Sequence, residues 1–513
     1  MRQGLPKHRC SPESVRNKPT FARFALARTR LSSPNKPSRR SAKLTVNAAQ
    51  APRPSKSKDD KTRKPSLELF KPDIWDLFRK GAENQNDLNL SPSSSKWGNR
   101  TVSSRPRPSR RPQASQPRAA SPVTKCYPPT LQIGYLETVH ALMAELDGLG
   151  SGDLTIFSVY VFEEGESSTM LMDCMERAAQ RGVVLEISVD GSLVSAFTRL
   201  CEGTTTLQGE LREMSKRYPE QIFYTHRETP THAKYMICLR ASGEPTAIFG
   251  GVNIGDRFAS WRDFAVRIEG AGVVGSLIAN LSLGSGWLTQ WLASSSGSAM
   301  SCMLPWREEV TPYSICFITN RPQAQEFWPQ MNTFVFRKQM LGSFNVRPGM
   351  KSFFEHSRFD SYIVAMAYLD MAGTDLLLGA VRRGASVDLI MPATPNVYHD
   401  SNMRAMARFL EEGERASGNV RGYLYPGMLH AKVGVGSSLH GGKRGPLVSM
   451  LGSCNLKTRS FDQFAELNAV INERAFSIKL QKELFILREE SASVHHSELE
   501  YFRLKADIEE WLG

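Results

Sequence analysis

Nowhere does the sequence hold the ~18–20 consecutive apolar residues that a membrane-spanning helix needs, so a lipid substrate would have to be met from the bilayer surface. The eight cysteines are scattered and none forms a CxxC pair. That spacing argues against a zinc site or a secreted disulfide framework and fits buried, reduced thiols. Carboxylates are almost missing from the first 50 residues, where Glu13 stands alone among Arg, Ser, Pro and Ala. The remainder of the chain, in turn, has no excess of positive charge. Met1–Lys125 carries 29 Lys and Arg against 8 Asp and Glu, whereas the residues from Cys126 onward carry 36 against 43. The net charge of +14 therefore belongs to the N-terminal tail. A protein that grips a nucleic-acid backbone needs its basic surface on the folded domain, so nucleic acid is a poor candidate partner.

The acid-poor opening reads as an organelle transit peptide over residues 1–49. Val46-Asn47-Ala48-Ala49 resembles the small-residue site at which chloroplast transit peptides are cut, and a generic basic tail is the alternative. Residues 50–126 stay rich in Pro, Ser and Arg and read as a disordered linker. One island, 67–80, places Phe70, Ile74, Leu77 and Phe78 at helical spacing. It could lie on an anionic membrane, but docking onto its own domain is the expectation.

From Tyr127 the composition turns globular and an internal repeat begins. Ala179–Asp190 reads as a helix end, a Gly turn and a strand, and Val381–Pro392 reads the same way 202 residues later. Strand-like runs and helical segments precede both, so two copies of one α/β lobe are expected, at 127–310 and 311–513. Trp287 and Trp291, at i and i+4, fit core positions.

Each copy then carries one short pattern. The first has His232-Ala233-Lys234, Gly250-Gly251-Val252-Asn253 and Asp263. The second has His430-Ala431-Lys432, Gly452-Ser453-Cys454-Asn455 and Glu466. The histidines are 198 residues apart, close to the repeat offset. A lone HxK occurs often by chance. Two at the repeat offset, each followed by G-[GS]-x-N and a carboxylate, do not.

On a strand, residues i and i+2 share a face, so each His and Lys would point into one space. Gly would let backbone approach an anion, and Asn would add a neutral donor. Brought together, the copies would set two His, two Lys and two Asn around one phosphate, without metal or cofactor. The Lys and Asn would hold charge on the nonbridging oxygens. One imidazole would attack phosphorus while the other protonates the leaving alkoxide. A carboxylate on the second ring nitrogen would fix each tautomer. Sequence order does not say which histidine attacks.

These residues resemble the HKD motifs of the phospholipase D superfamily, in particular the cardiolipin synthases. Gly250–Phe258 with Trp261-Arg262-Asp263 is similar to the first motif region. Leu429–Val433, Gly452–Leu456, Arg459-Ser460-Phe461 and Glu466-Leu467-Asn468 are similar to the second, and Thr319–Pro322 to the opening of the second half. The resemblance implies two lobes, each a mixed sheet flanked by helices, and a complete site within one monomer. It makes His232 the nucleophile and His430 the general acid, then base. Lys234, Lys432, Asn253 and Asn455 would bind phosphate, Asp263 would orient His232, and Glu466 would orient His430.

The expected activity is a metal-independent phosphatidyl transfer between anionic lipids, with phosphatidylglycerol as donor and acceptor, at a membrane surface. Hydrolysis of phospholipid or nucleic acid, or lipid binding by a weakened pseudoenzyme, are the alternatives. One departure bears on the last: the family's HxKxxxxD ends here in Leu239 and Ser437, so both Asp are replaced.

Overall fold

The computed structural model describes residues 127–191, 207–227, 230–283, 313–322, 342–416, 419–440 and 443–512. The expected transit peptide, the expected linker with its island, and Trp287 with Trp291 lie outside them.

The first sheet contains β1 (Thr130–Ile133), β2 (Leu154–Val159), β3 (Val184–Asp190), β4 (Ile222–Arg227), β5 (Lys234–Leu239), β6 (Thr246–Gly250) and β7 (Phe264–Glu269). The second contains β8 (Ser314–Pro322), β9 (Gly342–Phe344), β10 (Ser361–Met366), β11 (Ser386–Pro392), β12 (Val420–Tyr425), β13 (Lys432–His440), β14 (Lys443–Gly452), β15 (Glu466–Asn472) and β16 (Ala492–Val494).

The strand orders are β1-β7-β6-β5-β2-β3-β4 and β16-β12-β11-β10-β13-β14-β15-β8-β9. Reversed, the first order maps onto β12 through β8 of the second, which adds β16 and β9 at its edges. β2, β3 and β4 run parallel, with helices 166–180 and 208–217 between them in the chain, while β5, β6, β7 and β1 join antiparallel. The repeat seen in the sequence is thus a repeat of mixed sheets. Its turn also behaves as expected. Gly182 and Gly384 take φ of +87° and +91° directly after their helices, a conformation that a Cβ disfavours.

Both faces of the central strands are buried, which explains their near-continuous apolar runs. On β5, Tyr235, Ile237 and Leu239 share one core with Val433 and Val435 of β13. Met236 and Cys238, on the other face, pack with the first lobe's helices. The two sheets therefore meet through a common apolar layer. β5 begins where β2 ends, and β13 begins where β10 ends. Lys234 and Lys432, which open β5 and β13, lie at that edge, the carboxyl end of the parallel strands.

Candidate active site

Each lysine of the two HxK patterns is the first residue of its strand, and each histidine lies just before it. Lys234 Nζ donates to the carbonyl of His232 at 2.6 Å, and Lys432 Nζ donates to that of His430. All four are buried, none more than 7 % exposed.

What fixes the histidines is contact between the lobes. The backbone N–H groups of His232 and Ala233 both donate to Ala465 O at 2.9 Å, and Ala465 N donates to Pro230 O at 2.8 Å. Across the pseudo-dyad, His430 N donates to Arg262 O at 2.8 Å and Arg262 N to Met428 O at 3.0 Å. Each lobe's histidine loop is thus stitched to the loop ahead of the other lobe's carboxylate.

The carboxylates consequently cross over. His232 Nδ1 lies 3.1 Å from both oxygens of Glu466, and His430 Nδ1 lies 2.6 Å from Asp263 Oδ2. The expected pairing of Asp263 with His232 and Glu466 with His430 is therefore wrong. The resemblance implied carboxylates within each lobe, but interlobe strand bridges at Thr231–Ala465 and Arg262–Leu429 exchange them.

The remaining partners hold the carboxylates in place. Asp263 Oδ1 accepts from Phe264 N at 2.8 Å, and the Ser453 hydroxyl donates to Glu466. Sequence reasoning gave Ser453 no role, although its difference from Gly251 in the other copy was a visible signal. The glycines also have a different reason from the one expected. A Cβ on Gly250 would lie 2.4 Å from Phe264 O, one on Gly251 2.3 Å from Asp263 Oδ1, and one on Gly452 2.2 Å from Leu467 O. They seat the neighbouring strand and its carboxylate.

Asn253 Oδ1 accepts from Val161 N at 3.3 Å. Asn455 Oδ1 is buried with no hydrogen-bond partner among the described residues. Aromatic rings that sequence analysis did not single out flank the imidazoles. Tyr160 and Phe464 stand 5.0 and 6.0 Å from the His232 ring, while Trp261 and Tyr368 stand 5.1 and 6.1 Å from His430. Of these only Trp261 lay in a quoted motif. Thr319–Pro322 is a support: Asn320 Nδ2 donates to the carbonyls of Ser460 and Phe461, under the Arg459-Ser460-Phe461 turn.

Burial dominates the electrostatics. It pushes His232 down to about 4, opposed by Glu466. It pushes His430 down to about 3, helped by Lys432 and opposed by Asp263. Lys234 falls to about 7 through burial and then the charge of Lys432, and Lys432 falls to about 8 through burial. Burial alone would raise the Glu466 carboxyl, yet His232, Lys234 and Ser453 hold it below its ordinary value. Two neutral imidazoles with Nδ1 committed leave Nε2 lone pairs for chemistry, and two desolvated amines call for an anion.

A resident metal fits this set poorly, because both carboxylates are already spent on imidazoles and two lysines share the space. Elsewhere, Glu414, His495 and His496 bring ligand-type atoms within 4.8 Å of one another, at the end of helix 399–415.

Residues 350–485, most of the second lobe, match the family model of the cardiolipin synthase phospholipase D-like domain. The phosphatidylserine synthase of Haemophilus influenzae Rd KW20 shares the fold at a TM-score of 0.50 and 11 % identity, over 76 % of this chain and 93 % of that one. The polyphosphate kinase of Porphyromonas gingivalis aligns at 0.43 and 14 % identity over 75 % of this chain and 52 % of its own. Nuc, a phospholipase D family member from Salmonella typhimurium, aligns at 0.26 and 12 % identity over 36 % of this chain and 99 % of its own. No curated protein sequence matches the chain.

Proposed function

We propose that this chain is a phosphatidyltransferase of the cardiolipin synthase type, within the phospholipase D superfamily whose domain model matches its second lobe. The observation that carries the reading is the crossed pair of carboxylate-held histidines at one buried, lysine-lined point. Two imidazoles with equivalent support suit a reaction in which one bonds to phosphorus while the other manages protons.

In that reaction His232 Nε2 attacks the phosphorus of phosphatidylglycerol, and the bond from phosphorus to the glycerol oxygen breaks. His430 gives its proton to that oxygen, and glycerol leaves. The hydroxyl of a second phosphatidylglycerol then yields its proton to His430 and attacks phosphorus. The phosphorus–nitrogen bond breaks, His232 is restored, and cardiolipin is formed. Lys234, Lys432 and the two asparagines hold the nonbridging oxygens throughout. The arriving phosphodiester anion raises the proton affinity of His430, as the acid step requires. The match of the second lobe to a cardiolipin synthase domain supports an alcohol over water as acceptor. Among the described residues no helix is long and apolar enough to cross a membrane.

The test is to incubate the full chain with phosphatidylglycerol vesicles and EDTA, beside His232→Ala, and to follow lipids by mass spectrometry. Cardiolipin made despite EDTA and lost in the variant supports the reading. Phosphatidic acid in its place moves the function to hydrolysis. No product from well-folded protein overturns it.

A further inference from the structure

The two lobes differ sharply at one position beside the site. Two residues after its motif asparagine the first lobe has Gly255, and the second has Lys457. Lys457 is 3 % exposed, and its Nζ is buried without a hydrogen-bond partner among the described residues. The ammonium sits 3.3 Å from the centroid of the Tyr398 ring and 6.0 Å from that of Tyr368. Tyr368 is the same ring that stands 6.1 Å from His430. Cation–π contact offsets part of the desolvation of an amine, but not its loss of hydrogen bonds.

Among the described residues no carboxylate accepts a hydrogen bond from it, although Asp370, Glu510 and Glu509 attract its charge. Asp370, the largest attractive influence on Lys457, spends Oδ1 on the N–H groups of Ala372 and Gly373. Its Oδ2 takes the N–H and hydroxyl of Thr458. Burial accordingly pushes Lys457 down to about 7. The ring above it is also held in an uncommon way, since Tyr398 takes φ of +61° directly before helix 399–415. Such backbone is costly for a residue other than Gly and collects at ligand sites. An apolar side chain would fill this place more cheaply than an orphaned amine. The Tyr368 ring thus links His430 to a buried amine without a hydrogen-bond partner among the described residues, at a position where the first lobe has Gly255.

We propose that Lys457, with Tyr368 and Tyr398, forms a second anion subsite on the His430 side, which binds a phosphate carried by the acceptor alcohol. The assignment to the acceptor rests on the phosphatidyl-transfer reading, in which His430 activates the acceptor hydroxyl. An acceptor with a hydroxyl at one end of a glycerol unit and a phosphate at the other meets both groups at once. Tyr398 is half-buried over the amine, and its ring is displaced when the phosphate enters. The donor side needs no such group, because its phosphate already sits among Lys234, Lys432 and the histidines.

The subsite is tested first by binding, independently of turnover. Calorimetry compares glycerol 1,3-bisphosphate with sn-glycerol 3-phosphate on wild type, Lys457→Met and Lys457→Arg. Wild type should prefer the bisphosphate by about ten-fold or more, equivalent to ~1.4 kcal/mol. Lys457→Met should erase that preference, and Lys457→Arg should keep most of it. A wild type without preference, or a Lys457→Met protein that retains it, overturns the subsite. Should Lys457→Met not fold, the wild-type preference and its response to Lys457→Gln decide.

A second arm measures transfer to phosphatidylglycerol, sn-glycerol 3-phosphate and glycerol. In Lys457→Met the ratio of the phosphate-bearing acceptor to glycerol should fall by about ten-fold. Whichever phosphate-bearing acceptor wild type uses identifies the phosphate as lipid-borne or free. Absence of all transfer, with the bisphosphate preference intact, removes the transfer reading and leaves the subsite. Transfer without the preference removes the subsite alone.

Discussion

Glu466 and Asp263 each hold the Nδ1 of a histidine that belongs to the other lobe, and this exchange has a kinetic signature. On the proposed roles, Glu466 orients the attacking imidazole and Asp263 orients the proton-transferring one. A substrate such as bis(p-nitrophenyl) phosphate leaves without needing an acid. With it, Asp263→Asn should still release a first burst of p-nitrophenolate and then turn over slowly. Glu466→Gln should lose the burst itself. Each loss should be on the order of 10²–10⁴-fold in its own step. Rapid-quench and stopped-flow traces distinguish the two, and the reverse pattern would mean that His430 is the nucleophile. The same local view explains Ser453 and Gly251. One position admits a hydroxyl that bonds to Glu466, and the other cannot hold even a methyl beside Asp263.

β5 and β13 both start at a site lysine and run away from the site, which locates the two replaced aspartates. Leu239 ends β5, roughly 17 Å from Lys234 at ~3.3 Å per residue, and is fully buried in the core between the sheets. Ser437 lies as far along β13, half-buried and paired with Ser361. Neither position is among the groups that surround the histidines, so their loss leaves the site geometry whole. Ser437→Asp should change turnover by less than about three-fold, as expected for a site far from the chemistry. Leu239→Asp should destabilise the fold by about 3 kcal/mol or more through a buried, unpaired carboxylate. Activity assays and urea unfolding read the two outcomes. A large loss of activity in Ser437→Asp with stability unchanged would contradict the geometric argument.

The assembled molecule concentrates buried bases between two lobes, and this couples stability and ligand binding to protons. Lys234 and Lys432 titrate at about 7 and 8 when folded, against an ordinary 10.5. Between those values the unfolded chain binds protons that the folded chain does not. Stability contributed by these groups is thus full above 10.5 and is lost as pH falls toward 7. The histidines repeat the pattern from 6.5 down to about 4 and 3. A bound anion reverses the shifts, so it must draw protons in. Sulfate, whose charge is constant in this range, should bind with net proton uptake at pH 7.5. It should also bind roughly ten-fold tighter at pH 6.5 than at 8.5. Calorimetry in buffers of different ionisation heat measures this, and proton release on binding would contradict the assigned shifts.

Local chemistry was legible from the sequence because it repeats. Gly182 and Gly384 marked the helix-to-strand turns, alternating segments marked the α/β lobes, and duplicated HxK and G-[GS]-x-N patterns marked which residues converge. Those features depend on neighbours within a few residues along the chain. The partnership of Glu466 with His232 and of Asp263 with His430 depends instead on loops more than 160 residues apart in the chain meeting across the pseudo-dyad. The family resemblance had implied a pairing within each lobe. The buried state of Lys457, the rings around the imidazoles and the steric reason for Gly250, Gly251 and Gly452 are likewise settled by the packing of sheets. Sequence named the groups that converge; tertiary contact decided which group holds which, because register across the lobe boundary leaves no local trace.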